Sequence, residues 1–139
     1  MSENIRKIAL ISGASRGIGK SIALTLAKSG VIVVGTATSQ SGADAISTYL
    51  SPFNGTGMIL NVTNKASIDN VIAEIKNKYG EVNVLVNNAG ITKDGLFLRM
   101  KEEDWDAVMD TNLRSVYRLS KAVLRGMMKA RQGRIISVA

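Results

Sequence analysis

A glycine-rich turn near the start of the sequence has the composition and spacing to hold a phosphate group. It follows a short apolar run, Lys7 to Ser12, and opens a helical pattern over about Gly17 to Ser29. Small residues let a backbone approach a pyrophosphate closely, and the exposed amides of a helix N-terminus favour its negative charge. A glycine triplet alone is weak evidence for a phosphate site. The prediction depends on the position of the triplet between a strand and a helix. The residues predicted to bind are Gly13, Ala14, Ser15, Arg16, Gly17, Ile18 and Gly19.

The end of the second predicted strand lacks the acidic side chain that is typical of NAD binding. Dinucleotide folds that select NAD usually carry an acidic residue there, which binds the ribose 2′-hydroxyl. Residues 35–39 read Gly-Thr-Ala-Thr-Ser, and the next acidic residue is Asp44. Arg16 could pair with a 2′-phosphate instead, and the hydroxyls of Ser15 and Thr38 could add hydrogen bonds. The pattern predicts NADP(H) rather than NAD(H), with a solvent-facing Arg16 as the alternative.

A second polar turn, Asn87-Asn88-Ala89-Gly90, follows the fourth predicted strand. In open parallel sheets, ligands bind outside the carboxyl ends of the strands, near the point where the strand order reverses. The first and fourth strands flank that point, so both turns are expected to face the same ligand. Taken alone, an asparagine-rich turn is more often structural.

The elements that position these turns alternate between strand-like and helix-like segments. The clearest helix has apolar side chains at the i, i+3, i+4, i+7, i+11 spacing of one buried face. These side chains are Ile68, Val71, Ile72, Ile75 and Tyr79. Strands that alternate with helices of this length predict a doubly wound parallel α/β sheet, a Rossmann fold, with five strands present.

The C-terminal third of the sequence predicts a loop, two helices and a last strand. The loop covers residues 91–100, and helical patterns follow over about 102–110 and 113–127. Tyr79 and Tyr117 are predicted to lie on core-facing sides of their helices. The fifth strand, from Arg134, would leave an apolar sheet edge, and such edges need pairing or cover.

Composition restricts the possible chemistry. The 139 residues contain no cysteine and no histidine, which excludes disulfides, thiolate and imidazole metal sites, and Ser-His-Asp catalysis. No metal site is predicted. Apolar runs such as Val31 to Val34 are too short to cross a membrane. The polar N-terminus does not resemble a signal peptide, so a cytoplasmic protein without membrane contact is expected.

The charge of the chain is positive and unevenly distributed. The net charge is +7, from 18 basic and 11 acidic side chains. Residues 111–139 contain no acidic side chain but seven basic ones: Arg114, Arg118, Lys121, Arg125, Lys129, Arg131 and Arg134. Such a bias suggests an anionic partner. Nucleic acid is not favoured because no aromatic stacking platform accompanies the charges; an acidic protein and a solvated face remain open.

Together these motifs resemble the signature of the short-chain dehydrogenases/reductases. The matching residues are Ser12-Gly13, Gly17-Ile18-Gly19, Asn87-Asn88-Ala89-Gly90 and Asn112. The similarity covers the whole chain and is closer still to bacterial 3-oxoacyl-(acyl-carrier-protein) reductases. Further matching segments are Gly35 to Ser39, Leu60 to Thr63, Thr111 to Leu113 and Leu119 to Val123.

This resemblance implies NADPH-dependent reduction of 3-oxoacyl-(acyl-carrier-protein) in fatty acid synthesis. It implies that Arg16 and Thr38 lie near the 2′-phosphate. Asn61 and Val62 would line the adenine pocket, and Asn88, Ala89 and Gly90 would pack beneath the nicotinamide-side ribose. Asn112 would be the asparagine of the family's Asn-Ser-Tyr-Lys tetrad. A homotetramer is implied, with acidic acyl carrier protein docking near Lys129 and Arg131.

The sequence departs from the family at the catalytic residues. The family's serine would follow the fifth strand beyond Ala139, and its Tyr-x-x-x-Lys helix would come later still. Residues 1–139 are therefore interpreted as an NADP-binding Rossmann domain, truncated before those residues and inactive by itself. The alternatives are a non-catalytic dinucleotide-binding module, or a related reductase acting on acetoacetyl-CoA or another small carbonyl.

Overall fold

The computed structural model describes residues 7–88 and 101–138, which form a five-stranded sheet with helices on both faces. The strands are β1 (Ile8–Ile11), β2 (Ile32–Ala37), β3 (Thr56–Ile59), β4 (Val84–Asn87) and β5 (Arg134–Ser137). The helices are α1 (Gly17–Lys28), α2 (Gln40–Leu50), α3 (Lys65–Lys78) and α4 (Glu102–Ala130), and Ser51–Phe53 add a 3₁₀ turn after α2.

The strand order is β3-β2-β1-β4-β5, and every pairing is parallel. Ala9 of β1 lies opposite Val33 of β2 on one side and opposite Val84 of β4 on the other. The chain runs outward from β1 to β3 and then returns to the other side of β1. The predicted doubly wound sheet is confirmed, and its order reverses between β1 and β4.

The two faces of the sheet bury different helices because side chains alternate along each strand. Ile8 and Leu10 belong to the cluster formed with α3 and α4, whereas Ala9 and Ile11 belong to the cluster formed with α1 and α2. Both faces are thus apolar, as expected for parallel strands covered on both sides. Tyr79 packs against the α3–α4 cluster, which confirms its predicted position.

Helix α2 lies unusually close to the sheet because glycines face it. A Cβ at Gly57 would overlap the backbone carbonyl of Ala43, and one at Gly35 would lie 2.9 Å from the Cγ2 atom of Ile46. Real Cβ atoms do not approach other atoms so closely. These glycines therefore fix the distance of α2 from β2 and β3, and with it the position of the N-terminal end of α2.

Helix α4 is one continuous helix of 29 residues, so the prediction of two helices is wrong. Thr111 and Asn112 have modest helix propensity, but neither glycine nor proline interrupts the chain there. The Ser115 hydroxyl donates to the Thr111 carbonyl at 2.7 Å, and Arg114 pairs with Asp110 at 3.1 Å. These local contacts carry the helix through the weak stretch.

Helix α4 has two apolar faces, of which only one is buried. The inward row is Ser115, Leu119, Val123 and Met127. The other side carries the exposed apolar side chains Leu113, Tyr117, Leu124 and Met128, while Trp105 and Met109 are exposed near the N-terminal end of the helix. The prediction that Tyr117 faces the core is wrong, because Tyr117 is two residues, or about 200°, from Leu119 around the helix. Strand β5 is also exposed.

Among the described residues, no helix combines the length and apolar character needed to cross a bilayer.

Candidate functional site

A cleft of about 680 Å³ lies at the carboxyl ends of β1, β2 and β4, beside the point between β1 and β4 where the sheet order reverses. Its lining residues are Gly13, Ser15, Arg16, Gly17, Thr36, Ala37, Thr38, Ser39, Ser41, Gly42, Leu60 and Asn88. The volume is within the range of small-molecule and cofactor sites. Arg16 is the charged side chain of this set, and none of the described lining residues is acidic.

The glycine-rich turn between β1 and α1 forms one wall of the cleft. It needs glycine where the φ angle is positive and where a Cβ would clash with neighbouring atoms. Gly13 and Gly17 have φ angles of 66° and 63°, the left-handed region that favours glycine. A Cβ at Gly19 would overlap the Gly13 carbonyl oxygen and lie 2.6 Å from the Nδ2 atom of Asn88. The turn can therefore fold back on itself only with glycine at 19, which leaves a backbone cradle open to a ligand.

The N-terminus of α1 faces this cradle without a side-chain cap. Arg16 occupies the cap position in an extended conformation, makes no capping hydrogen bond, and the first turn contains no acidic residue. The first amides of a helix have no partner within the helix and carry partial positive charge. The cradle thus combines space for a ligand with donors for an anion, which fits a pyrophosphate.

Asn88, at the end of β4, holds the glycine-rich turn from the opposite side. Its side-chain amide donates to the Gly13 carbonyl at 3.0 Å, and its backbone amide donates to the Ser12 hydroxyl at 3.0 Å. The Ser12 backbone amide donates to the Val86 carbonyl at 3.1 Å. The structure therefore brings the two sequence motifs together, since β1 and β4 are neighbours.

Hydroxyl groups line the part of the cleft next to Arg16. Thr38 and Ser39 follow β2, and Ser39 accepts the Gly42 amide at 3.1 Å as the N-cap of α2. The Ser41 hydroxyl lies 3.2 Å from that of Ser39. Sequence reasoning identified Thr38 but missed the two serines, although a serine directly before a helical pattern is a recognisable cap signal.

Two residues implied for the adenine pocket lie outside the set that lines the cleft. The Asn61 side chain accepts the Thr63 amide at 3.0 Å, and Val62 is buried in the α3–α4 cluster. The preceding residue, Leu60, lines the cleft instead. Within the glycine-rich turn, Ile18 is 61% exposed and Ala14 is fully buried behind the loop.

Other predicted residues lie away from the cleft or outside the described structure. Asn112 is partly buried in α4 and is not a lining residue. Lys129 and Arg131 are exposed at the C-terminal end of α4. Ala89 and Gly90 fall outside the described residues. Within residues 7–88 and 101–138, no group of carboxylates is placed to hold a metal ion.

One Tyr-x-x-x-Lys spacing does occur in this chain, at Tyr117 and Lys121. The Lys121 ammonium lies 3.4 Å from the Tyr117 hydroxyl and 5.6 Å from the centre of its ring. Both side chains are exposed on the outer side of α4, and neither lines the cleft. This pair therefore does not face the candidate cofactor site.

Comparison with known proteins identifies one family. Residues 7–139 match the model of the short chain dehydrogenase family. The chain is 61% identical over 132 residues to "3-oxoacyl-[acyl-carrier-protein] reductase FabG" of Escherichia coli (strain K12), and 64% identical over 132 residues to the protein of that name from Vibrio cholerae. Identity to the Pseudomonas aeruginosa protein of that name is 52% over 134 residues.

These alignments cover 95% of this chain and 54% of each relative. The chain therefore spans about half the length of the curated relatives that it matches.

Proposed function

Because the chain belongs to the short-chain dehydrogenase family, we propose that its cleft binds NADPH in a reductase of 3-oxoacyl groups carried by acyl carrier protein. The substrate follows from the names of the relatives. The cleft is the observation that supports the cofactor assignment. It combines a glycine cradle, an uncapped helix N-terminus and the charged side chain of Arg16.

The preference for NADPH over NADH is supported by the residues around Arg16. A 2′-phosphate needs a cation and hydrogen-bond donors, whereas a bare 2′-hydroxyl is usually held by a carboxylate. Arg16, Thr38, Ser39 and Ser41 all line the cleft, and a Cβ at Gly42 would lie 3.7 Å from the Cβ of Ser15, the neighbour of Arg16. Guanidinium-phosphate pairs are charge-assisted and frequently bidentate. We therefore propose that this part of the cleft holds the 2′-phosphate.

The residues of this chain would bind and orient the cofactor. When bound, NADPH supplies a hydride for carbonyl reduction. The amides at the start of α1 would hold the pyrophosphate, and Asn88 would keep the glycine-rich turn in place through the Gly13 carbonyl. Asn112 remains proposed as the tetrad asparagine. A polypeptide limited to residues 1–139 is proposed to bind NADPH without turnover, because it spans 54% of the length of the reductases that it matches.

Substitution of Arg16 tests the cofactor assignment. We expect Arg16→Ala to weaken NADPH binding by about 10- to 100-fold, since a hydrogen bond to a charged group contributes about 1.5–3 kcal/mol. NADH binding should stay unchanged. Titrations followed by nicotinamide fluorescence measure both, with Lys28→Ala at the far end of the same helix as control. Equal losses for NADPH and NADH would show that Arg16 does not contact the 2′-phosphate.

We also propose that acyl carrier protein docks at the C-terminal end of α4. Lys129 and Arg131 are exposed there, and residues 111–139 contain no acid to neutralise them. In the complete protein, Lys129→Glu with Arg131→Glu should raise KM for a carrier-linked acetoacetyl substrate but not for acetoacetyl-CoA. Lys78→Glu, at the end of α3, is the control. Equal changes in KM for both substrates would contradict the docking site, and no turnover of either would contradict the proposed activity.

The proposed whole protein is a cytoplasmic homotetramer, in keeping with the resemblance. Its support in this structure is the row of exposed apolar side chains along α4, including Leu113 and Met128 at 64% and 69% exposure. Analytical ultracentrifugation of the complete protein would test the assembly state. A monomer at micromolar concentration would contradict it.

A further inference from the structure

Tyr49 connects helix α2 to the back of the glycine-rich turn. Its ring is partly buried and packs against the α1–α2 cluster, and its hydroxyl donates to the Ala14 carbonyl at 2.5 Å. Ala14 is fully buried and is separated from Tyr49 by 35 positions in the chain. The contact therefore joins helix α2 to the glycine-rich turn, and no local sequence pattern predicts this contact.

Ala14 is held through both of its backbone polar groups. Its amide donates to the Thr36 carbonyl of β2 at 2.9 Å, while its carbonyl accepts from Tyr49. The preceding carbonyl, that of Gly13, accepts from Asn88. Consecutive peptide groups of the turn are thus fixed to β2, α2 and β4.

The orientation of the Ala14 carbonyl determines where the next amide points. In a planar trans peptide the C=O and N–H groups point in opposite directions, and the described residues contain no cis peptide. With the Ala14 carbonyl directed at Tyr49, the Ser15 amide points away from Tyr49. Ser15 itself lines the cleft. A carbonyl rotated toward the cleft would instead repel a phosphate.

We propose that Tyr49 is a positioning residue for the dinucleotide: its hydroxyl holds the Ala14 carbonyl out of the cleft and so presents the Ser15 amide to the pyrophosphate. This inference rests on the proposed function, because it requires that the cleft binds a dinucleotide. Tyr49 touches no cofactor atom in this account and acts through the loop.

The surroundings of Tyr49 keep its hydroxyl protonated, so that it can donate a hydrogen bond. Burial raises the pKa of Tyr49 to about 12, so the phenol keeps its proton at neutral pH. Lys20 lies in the first turn of α1, and its ammonium is 5.2 Å from the centre of the Tyr49 ring. Tyr49 of α2 therefore contacts the glycine-rich turn through its hydroxyl and Lys20 of α1 through its ring.

The test compares Tyr49→Phe with Tyr79→Phe in the purified protein. Tyr79 is a partly buried tyrosine of the other face, with the Lys78 ammonium 5.4 Å from its ring centre, and it does not touch the turn. We expect Tyr49→Phe to weaken NADPH and NADH binding equally, by about 3- to 10-fold, the value of one hydrogen bond. Binding of adenosine, which lacks both the pyrophosphate and the 2′-phosphate, should not change, and Tyr79→Phe should change none of the three.

The outcomes separate this inference from the proposal that it rests on. Failure of the unsubstituted protein to bind NADPH would overturn the proposed function. If that protein binds NADPH and Tyr49→Phe binds it equally well, only the positioning role is overturned. A parallel loss of adenosine binding would show general loosening of the cleft and would also overturn it. The Ser15 amide resonance should shift in Tyr49→Phe and not in Tyr79→Phe, whatever the change in unfolding midpoint.

Discussion

The α1–α2 side of the sheet and the α4–β5 region are built in different ways. On the α1–α2 side the cluster contains many small residues, among them Ala9, Ala23 and Ala27, and glycines bring α2 against the strands. In the α4–β5 region the inward face of α4 is buried, but Leu113, Met128 and Ile136 are at least half exposed.

The difference in packing between the two regions follows from the structural role of each region. The first region holds a loop whose backbone groups must be placed to a fraction of an ångström, and it does so with close packing and hydrogen bonds. The second region provides bulk apolar burial beneath the sheet and presents apolar and basic side chains outward. Substitutions should therefore affect ligand affinity in the first region and stability in the second.

The largest expected effect distinguishes the two faces of α4. Leu119→Ala removes a side chain that is 1% exposed and should lower the free energy of unfolding by about 2–5 kcal/mol. Leu113→Ala, at 64% exposure on the same helix, should change it by no more than about 0.5 kcal/mol. Urea denaturation measures both. Similar losses would show that the outer face is covered in solution.

The next effect compares a helical glycine from each region. Gly19→Ala forces a Cβ against the Gly13 backbone carbonyl, whereas a Cβ at Gly126 meets the Glu81 carboxylate, the end of a flexible side chain. Overpacking costs about 1–3 kcal/mol, so Gly19→Ala should lower NADPH affinity by about 5- to 150-fold. Gly126→Ala should leave affinity unchanged because Glu81 can move. Nicotinamide fluorescence titration measures both, and retained affinity in Gly19→Ala would contradict the cradle.

Two helix caps provide a smaller and more selective comparison. Ser39 caps α2 by accepting the Gly42 amide at 3.1 Å, and Asn64 caps α3 by accepting the Ser67 amide at 3.0 Å. Removal of either by alanine should destabilise the fold by about 1 kcal/mol. Only Ser39→Ala should also weaken NADPH binding, because Ser39 lines the cleft. Equal affinity in the two variants would remove Ser39 from the proposed site.

The effect that is smallest at neutral pH is the pH dependence contributed by Tyr49. Its pKa is raised by burial to about 12 in the folded protein, against about 10 for an unperturbed tyrosine. The neutral phenol is favoured by folding, so its contribution is fully present below pH 10 and is lost as the pH rises toward 12. The stability difference between the unsubstituted protein and Tyr49→Phe should thus be constant from pH 8 to 10 and decrease above it. Parallel profiles to pH 11.5 would contradict this environment for Tyr49.

Much of the fold could be predicted because its patterns are local. The apolar spacing that ends at Tyr79 predicted α3, and the alternation of strands with helices predicted the doubly wound sheet. The glycine-rich turn was recognisable from composition and from its place between a strand and a helix. Each of these signals depends on backbone geometry over fewer than about 15 residues.

The boundaries within α4 could not be predicted from the same patterns. The apolar spacing predicted two helices, over about 102–110 and 113–127, and Tyr117 was assigned to the core. The local contacts of Ser115 and Arg114 carry the helix through that stretch, and packing beneath the sheet determines which apolar row is buried. Two apolar rows on one helix give no local indication of which one will face inward.

The sequence by itself determined that this chain makes a parallel sheet with a glycine-rich turn at its reversal point. Only the tertiary structure decided how that turn is held: Asn88 reaches the Gly13 carbonyl across 75 positions, and Tyr49 reaches the Ala14 carbonyl across 35. The physical reason is that such contacts arise from two distances, that of α2 to the sheet and that of the end of β4 to the turn. Neither quantity is encoded in the spacing of neighbouring residues.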